Sequence, residues 1–273
     1  MDQAARQDVH GALPAGLGQA IRQTAADITA VLDGVADTDA AVPGSLWTVG
    51  EAAAHLALAN ELMADLAVGR DRPYGNGTPQ SLAAANAESL AAFAERRAAP
   101  LAAMITEQAE RCADALAAAA DGPAPVTPLG PMDRSVLASY LLTHMLGHGY
   151  DLARAVRRPH MIDAERVAWC VPFLLSAMPA VADGTATAGL TARYTIRLRG
   201  GGAFGVTLAD GAVRVTPEPS DRPDCTILID PVAFLLIALG RRNPWLAIAR
   251  GQVLAYGRKP WLGPRFPALF VAP

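Results

Sequence analysis

The sequence predicts an α+β protein with two domains, a helical bundle over residues 1–184 and a small α+β domain over residues 185–273. Two patterns carry this prediction. Up to Gly184 apolar residues recur at helical spacing, whereas beyond it short β-branched segments alternate with polar residues. A chain of 273 residues is long enough for two such domains.

Composition narrows the classes of partner. Hydrophobic residues make up 52% of the chain and aromatic residues only 5%, so the core must consist largely of Ala, Leu and Val. The formal net charge is −3 and no basic block occurs, which argues against nucleic acid as the main partner. The three cysteines form no CxxC motif, so we expect a reducing, cytoplasmic compartment and no disulfide scaffold. They are Cys112, Cys170 and Cys225.

The first three predicted helices come from periodicity and propensity. Apolar residues at helical spacing define the first helix over about residues 14–35. The second begins at Thr48, where Glu51 three residues later completes a capping-box pattern. Alanine-rich residues 80–120 predict a long third helix, with Pro100 as the position of a break.

The fourth predicted helix starts near Asp133 and contains the segment LLTHMLGHGYDLARAV. It places His144 and His148 four residues apart, a separation of ~400° and ~6 Å, so both imidazoles leave one helix face. The other residues on that face are apolar, so the pair should point inward. Two inward histidines suit a metal, although the pair alone is equally compatible with packed or surface histidines. His55, two turns into the second helix, is the candidate third ligand.

Three imidazoles suit a catalytic metal such as Zn²⁺, Ni²⁺, Cu²⁺ or Fe²⁺. A structural zinc would be closed by a fourth protein ligand, whereas three ligands leave open positions for water or substrate. His10 near the N-terminus and His160 just beyond a helix-ending proline are not expected to belong to the site.

The surroundings of His148 leave two alternatives open. Gly147 and Gly149 flank it, and they indicate either close helix packing or room for a ligand beside the metal. Asp151 lies on nearly the same face, where it could orient a ligand histidine. Alternatively, it is a surface acid paired with Arg154.

No membrane span or signal peptide is expected. The N-terminus MDQAARQDVHGALPAGLG lacks a basic start followed by an apolar run. The longest apolar stretch, Val167–Ala182 in a fifth helix, has 16 residues and contains Pro172 and Pro179. A spanning helix needs roughly 20 apolar residues, so we predict a buried helix.

The C-terminal segments have a different character. ARYTIRLRG, AFGVTLADG, AVRVTPEP and DCTILID are short and rich in β-branched residues, and Asp210-Gly211 between two of them predicts a hairpin. A helical segment, PVAFLLIALGRR, and a last strand, GQVLAYG, complete an α+β module.

Two of the segments described above resemble those of a known protein family. Trp47-Thr48 ahead of EAAAHLA, followed by THMLGHGYDLARAV, resembles the DinB-like metal-binding four-helix bundle. The pattern is most similar to the mycothiol-dependent maleylpyruvate isomerases, in which a small domain similar to sterol carrier protein type 2 follows the bundle. The architecture matches over nearly the whole chain, but the specific motifs are the WT…H and H-x3-HG-x-D segments.

This resemblance implies a divalent metal held by His55, His144 and His148, with zinc as the expected ion. It also implies a mycothiol-like thiol as cosubstrate. The isomerases carry an acidic residue at the position of His144. Three neutral imidazoles leave more positive charge on the metal than two imidazoles and a carboxylate do, so a bound thiol should be more acidic. The same difference weakens the inference that maleylpyruvate is the substrate. The family also uses an arginine of the C-terminal domain near the site, for which Arg241 is the best match, although an exposed helix-end cation is an alternative.

Two functions compete. In the first, the protein is a thiol-dependent isomerase or S-transferase that uses a small-molecule thiol and acts on a small electrophilic substrate. No nucleic-acid partner and no membrane span are expected, and a homodimer is possible. In the second, it is a binding protein whose C-terminal domain holds an apolar ligand or lipid, and the metal site is structural or vestigial. Apolar residues for such a ligand include Phe234, Leu235, Leu236, Ile237 and Trp245, which suit an ordinary core equally well.

Overall fold

A computed structural model describes residues 13–70, 72–76, 78, 81–118 and 124–271. The chain divides into two compact units, Met1–Met161 and Ile162–Pro273. The first is helical and the second mixes helices with a sheet, so the predicted fold class is confirmed. The division between the units falls before the fifth long helix, whereas the sequence analysis placed the domain boundary after this helix, at 184/185.

Within its described residues, the first unit contains four long helices and one short helix. A two-stranded antiparallel ribbon, β1 (Val126–Thr127) and β2 (Gly130–Pro131), precedes the last of them. The helices are α1 (Ala15–Leu32), α2 (Val49–Ala67), α3 (Leu82–Ala91), α4 (Ala98–Ala118) and α5 (Arg134–Ala155).

The predicted long third helix is in fact two helices, α3 and α4. The break lies before Pro100, because a proline in the first turn of a helix removes no intrahelical hydrogen bond. Instead, the guanidinium group of Arg96 stabilises the non-helical segment between α3 and α4. It donates to the carbonyl oxygens of Leu90, Phe93 and Glu95 at 2.6–2.9 Å.

Side-chain contacts fix the helix directions in the bundle. The hydroxyls of Thr29 and Thr106 lie 3.0 Å apart, and Arg22 pairs with Asp114, so α1 and α4 are antiparallel. Buried apolar side chains, many of them alanine and leucine, fill the space between the helices. The alanine-rich composition therefore permits close helix packing around a small core.

Helix α2 runs parallel to α4, and a buried carboxylate joins their later turns. Asn60 donates to the carbonyl oxygen of Ile105, and Arg111 pairs with Asp65. The side chain of Asp65 is only 7% exposed, and Arg70 and Arg72 also donate to it, at 2.7 and 2.9 Å. Three guanidinium groups thus compensate the cost of burying one carboxylate.

The second unit is built on a five-stranded sheet of order β5-β4-β3-β6-β7. Strands β3 and β6 are parallel, and the other neighbours are antiparallel. The strands are β3 (Ala192–Leu198), β4 (Ala203–Ala209), β5 (Ala212–Thr216), β6 (Cys225–Ile229) and β7 (Val253–Tyr256). The helices are α6 (Ala164–Ala177), α7 (Gly184–Thr187), α8 (Pro231–Ala238) and α9 (Pro244–Ala249), with 3-10 segments Met178–Val181 and Pro260–Leu269.

The predicted hairpin at Asp210-Gly211 is confirmed. Both residues have left-handed backbone angles, with φ of 52° and 82°, and they join the paired ends of β4 and β5. Such a two-residue turn matches the right-handed twist of the flanking strands.

Helix α6 packs against α8 within the second unit and is not the buried helix that its composition predicted. Only one face is buried, at Val167, Cys170, Phe173 and Leu174. The 18-residue segment Ala164–Val181 is long and apolar enough to cross a membrane by length and composition, and 22% of it is buried. This test is also passed by helices that pack on a protein core, so it is weak evidence for a span.

Candidate metal centre

Three histidines of the first unit converge between α2 and α5. One ligand nitrogen from each of His55, His144 and His148 lies within 4.8 Å of the other two. The Nε2 atoms of His55 and His144 are 3.1 Å apart. The structure therefore brings together the three histidines that the sequence singled out, and we refer to them as the histidine group.

Local interactions fix the start of α2 and so position His55. The Thr48 hydroxyl accepts from the backbone N–H of Glu51, and the Glu51 carboxylate accepts from that of Thr48. This is the predicted capping box. A Cβ atom at Gly50 would lie 2.8 Å from the carbonyl oxygen of Arg96. Glycine at this position therefore permits the close approach of α2 to the segment that precedes α4.

Helix α5 is held against its neighbours at both ends. Near its start, Arg134 donates to the carbonyl oxygen of Ala67 at the end of α2, which makes the two helices antiparallel. Near its end, a Cβ atom at Gly149 would lie 2.9 Å from Met161 Sδ and 3.0 Å from Ile28 Cγ1. Of the two alternatives for Gly149, the structure supports close packing.

Two aromatic rings border the histidine group. The Trp47 ring centroid lies 4.7 Å from that of His55 and 5.9 Å from that of His148. Tyr140 approaches His144 edge-on at 6.2 Å, and burial raises the pKa of its phenol to about 12. Sequence reasoning treated Trp47 as a motif residue only, and its position directly before the capping threonine was the available signal.

The electrostatics favour neutral imidazole. His55 is 5% exposed, and burial lowers its pKa to about 4, so the ring keeps a free nitrogen lone pair at neutral pH. Asp151 Oδ2 lies 3.6 Å from His148 Nδ1, which places the carboxylate beside the ring. The guanidinium of Arg154 lies over the Tyr150 ring, 5.7 Å from its centroid.

The arrangement fits a metal ion that keeps an open position. With ~2.05 Å metal–nitrogen bonds, a tetrahedral ion separates two ligand nitrogens by roughly 3.3 Å, close to the separation of His55 and His144. Within the described part of the chain, no fourth His, Cys, Asp or Glu belongs to the group. His160 lies apart from it, with its ring 5.3 Å from that of Tyr150, and His10 lies outside the described residues.

Arg241 belongs to the second unit, just after α8. Its backbone N–H donates to the carbonyl oxygen of Leu236, and its guanidinium donates to that of Leu239 at 2.6 Å. Its role toward a substrate stays a prediction.

A helical bundle with a three-histidine group, followed by a small α+β domain, defines a class of two-domain proteins, and the sequence comparisons identify it. Residues 18–153 match the family model "Mycothiol maleylpyruvate isomerase N-terminal domain". Residues 175–257 match the "SCP-2 sterol transfer family". The chain belongs to the mycothiol maleylpyruvate isomerase family, with a C-terminal domain of the SCP-2 type.

Solved structures show similarity at low sequence identity. The mycothiol-dependent maleylpyruvate isomerase is 14% identical, with 88% of this chain and 91% of that chain covered and a TM-score of 0.48. The sec-alkylsulfatase Pisa1 from Pseudomonas sp. is 14% identical over 51% of this chain, with a TM-score of 0.33, and the match spans only 25% of the sulfatase. The sterol carrier protein domain 2 of Helicoverpa armigera is 19% identical, with 35% and 68% covered and a TM-score of 0.24. No protein of curated function matches the chain in sequence.

Proposed function

We propose that the protein is a metal-dependent enzyme that uses a low-molecular-weight thiol, mycothiol or a similar compound, for isomerase or S-transferase chemistry on a small electrophilic substrate. The observation that carries the proposal is the convergence of His55, His144 and His148, in a chain of the mycothiol maleylpyruvate isomerase family. We further propose zinc as the metal and the cytoplasm as the compartment.

The histidine group would hold the metal through three neutral nitrogens. A divalent metal supplies one property here, a lower pKa for a coordinated thiol. Burial keeps His55 neutral, the Asp151 carboxylate favours one orientation of the His148 ring, and Trp47 covers one side of the group. These residues would therefore preorganise the ligands before the thiol arrives.

The reacting thiol is proposed to come from outside the chain. Burial raises the pKa of Cys112 to about 12 and that of Cys225 to about 11, so neither thiol ionises at neutral pH. All three cysteines are buried, and none belongs to the histidine group. In an isomerase the external thiolate would add to a cis double bond, the bond would rotate, and the thiol would leave. In a transferase the conjugate would remain.

Arg241 is proposed to pair with a carboxylate of the substrate. Guanidinium groups match carboxylates through two parallel hydrogen bonds, which would fix the orientation of a small acid. Replacing Arg241 with Lys keeps the charge but loses this geometry, so the Michaelis constant should rise more than kcat falls.

A second candidate function, the binding of an apolar ligand or lipid, draws support from the SCP-2 match over residues 175–257. The residues expected to line the apolar ligand site differ in their exposure in the structure. Phe234, Leu235 and Leu236 are buried in the core, whereas Trp245 is 63% exposed. This division favours an ordinary core for α8 and weakens the binding alternative.

Elemental analysis tests the metal. Protein purified without a histidine tag should contain about one equivalent of zinc, and His144→Ala/His148→Ala should contain none, whereas His160→Ala should match the parent. Absence of metal from the parent, even after incubation with zinc, would overturn the metalloenzyme proposal. Thiol-dependent turnover of maleylpyruvate and model electrophiles by the loaded parent, lost in the double variant, tests the chemistry.

A further inference from the structure

The sheet of the second unit carries a groove on the face opposite its core. Arg193 of β3 is the direct cross-strand partner of Thr207 of β4, and its side chain is exposed. Together with residues of the loops before β6 and after β7, these strands line a cavity of about 450 Å³. Four cationic side chains and one carboxylate lie in its wall: Arg193, Arg222, Arg258, Lys259 and Asp224. We call this cavity the basic groove.

The single carboxylate of the basic groove is already engaged. Asp224 accepts from the backbone N–H of Arg193 and from Lys259 Nζ, both at 3.1 Å. Burial alone would raise the pKa of this carboxyl, but these two donors, together with the charge of Arg258, hold it below its usual value. Asp224 is therefore ionised at neutral pH, and the groove keeps a formal charge of +3.

Three arginines line the groove, and Asp224, the only carboxylate among the lining residues, is already engaged by Lys259. In the described part of the chain, no ion pair or side-chain hydrogen bond engages Arg193, Arg222 or Arg258. In the first unit, by contrast, three arginines pair with the carboxylate of Asp65. Planar guanidinium groups that remain available and converge on one cavity suit a ligand with several anionic oxygens.

The floor of the groove is rigid. The backbone N–H of Asp224 donates to the carbonyl oxygen of Arg193, and that of Lys259 donates to the carbonyl oxygen of Asp224, both at 2.7 Å. Gly257 has a φ of 114°, and a Cβ atom there would lie 3.2 Å from the same Asp224 oxygen. Three separate chain segments are thus locked together, which fixes the backbone from which the exposed side chains of Arg193 and Arg258 extend and lowers the entropic cost of binding.

We propose that the basic groove binds a phosphate-bearing ligand, with Arg193, Arg222 and Arg258 as the phosphate contacts. The volume lies within the range of small-molecule sites, and the formal charge of +3 matches a diphosphate or a phosphomonoester. The phosphate group belongs either to a free ester or to a phospholipid headgroup. Exposed Tyr256 and Trp261 flank the segment that carries Arg258, and exposed rings of these two types suit contact with a lipid surface.

Calorimetric titration of the full-length protein with inorganic pyrophosphate tests the proposal. The protein is first stripped of metal, so that pyrophosphate has no ion to chelate at the histidine group. The parent should bind one pyrophosphate in near-physiological salt, and Arg193→Gln/Arg258→Gln should weaken binding at least about tenfold, because two charge-assisted contacts are lost. Arg250→Gln removes one exposed cation outside the groove and should bind as the parent does.

Lys259 offers an independent measurement because it is the only lysine of the chain. Its acetylation, followed as the mass of one peptide, should slow several-fold when pyrophosphate is present. The same protection should be absent in Arg193→Gln/Arg258→Gln. Circular dichroism and the melting temperature of each variant establish that it is folded.

Vesicles of phosphatidylcholine with phosphatidic acid form the second arm. Vesicle binding that pyrophosphate competes away and the double variant loses assigns the phosphate to a lipid headgroup. Pyrophosphate binding without vesicle binding assigns it to a free ester. The proposal is overturned when neither probe binds, or when the double variant binds as tightly as Arg250→Gln.

Discussion

The two units present opposite chemistry to small ligands. Residues 1–161 carry 18 acidic and 11 basic side chains, a formal charge of −7, whereas residues 162–273 carry 8 and 12, a formal charge of +4. The histidine group of the first unit lies between two helices, is buried at His55 and half-buried at His144 and His148, and is neutral at His55. The basic groove of the second unit is solvent-accessible, lies on a sheet and is positively charged. Under the two proposals, uncharged imidazole nitrogens would bind a cation in the acidic unit, and charged side chains would bind an anion in the basic unit.

His55→Ala should have the largest effect and should separate the two sites. Loss of a direct ligand should lower metal affinity by more than the roughly 10–100-fold typical of residues behind the ligands. Pyrophosphate binding to the metal-free protein should stay within twofold of the parent. Metal titration with a competing chelator measures the first effect. Equal metal affinity in parent and variant would remove His55 from the site.

Asp65→Asn should destabilise the first unit by about 2–4 kcal/mol, because three arginines lose a buried anion while the polar group stays buried. Urea unfolding followed by circular dichroism measures the change. Glu61→Gln is the matched control, because the Glu61 side chain is 34% exposed and its pair with Arg72 should contribute less than about 1 kcal/mol. Equal effects of the two substitutions would show that burial does not set the strength here.

Thr48→Ala should cost about 1 kcal/mol, since it removes the hydroxyl that accepts from the Glu51 N–H at the start of α2. Metal affinity should fall only slightly, because His55 lies two turns further on. Thr48→Ser retains the hydroxyl and should restore stability. A large loss of metal with unchanged stability would instead place Thr48 in the site.

Asp224→Asn should have the smallest effect and a pH dependence of definite sign. The pKa of Asp224 is lowered in the folded protein, so its contribution to stability is present above the unfolded pKa and is lost as pH falls through the folded pKa. The variant should melt below the parent at neutral pH, and the difference should vanish in strongly acidic buffer. A difference that grows on acidification would contradict the assigned direction.

The positions of the three histidines along their helices could be predicted from sequence because helical geometry and capping are local. His144 and His148 share a face through helical geometry alone, and the capping box at Thr48 set the position of His55 along α2. The contact of Trp47 with two imidazoles could not be predicted in this way. It depends on the fold of the segment before α2, where Ala41 bridges Thr48.

The basic groove was missed for a physical reason. The sequence analysis found no basic block, and Arg193, Arg222 and Arg258 are indeed far apart along the chain. Parallel pairing of β3 with β6 places Tyr194 beside Cys225, and the residues just before them, Arg193 and Asp224, therefore adjoin. Strand pairing depends on tertiary contacts, so residue spacing could not reveal which charges would meet.

The same limit explains the errors in the helices. Propensity identified residues 80–120 as helical but could not locate the break that the Arg96 guanidinium creates through its contacts with three carbonyl oxygens. Hydropathy identified the fifth helix, α6, but could not tell that only one of its faces would be covered, against α8.

The two ends of α2 should open under different conditions. Near its start the helix is fastened by backbone caps and buried rings, whereas Asp65, ten residues beyond His55, is fastened to arginines that reach solvent. Concentrated salt weakens the pairs of Asp65 with these partly exposed guanidinium groups more than it weakens the buried contacts around His55. Amide hydrogens in the last turn of α2 should therefore exchange with solvent sooner as salt rises, while those around His55 keep their protection, so that the helix frays from one end only.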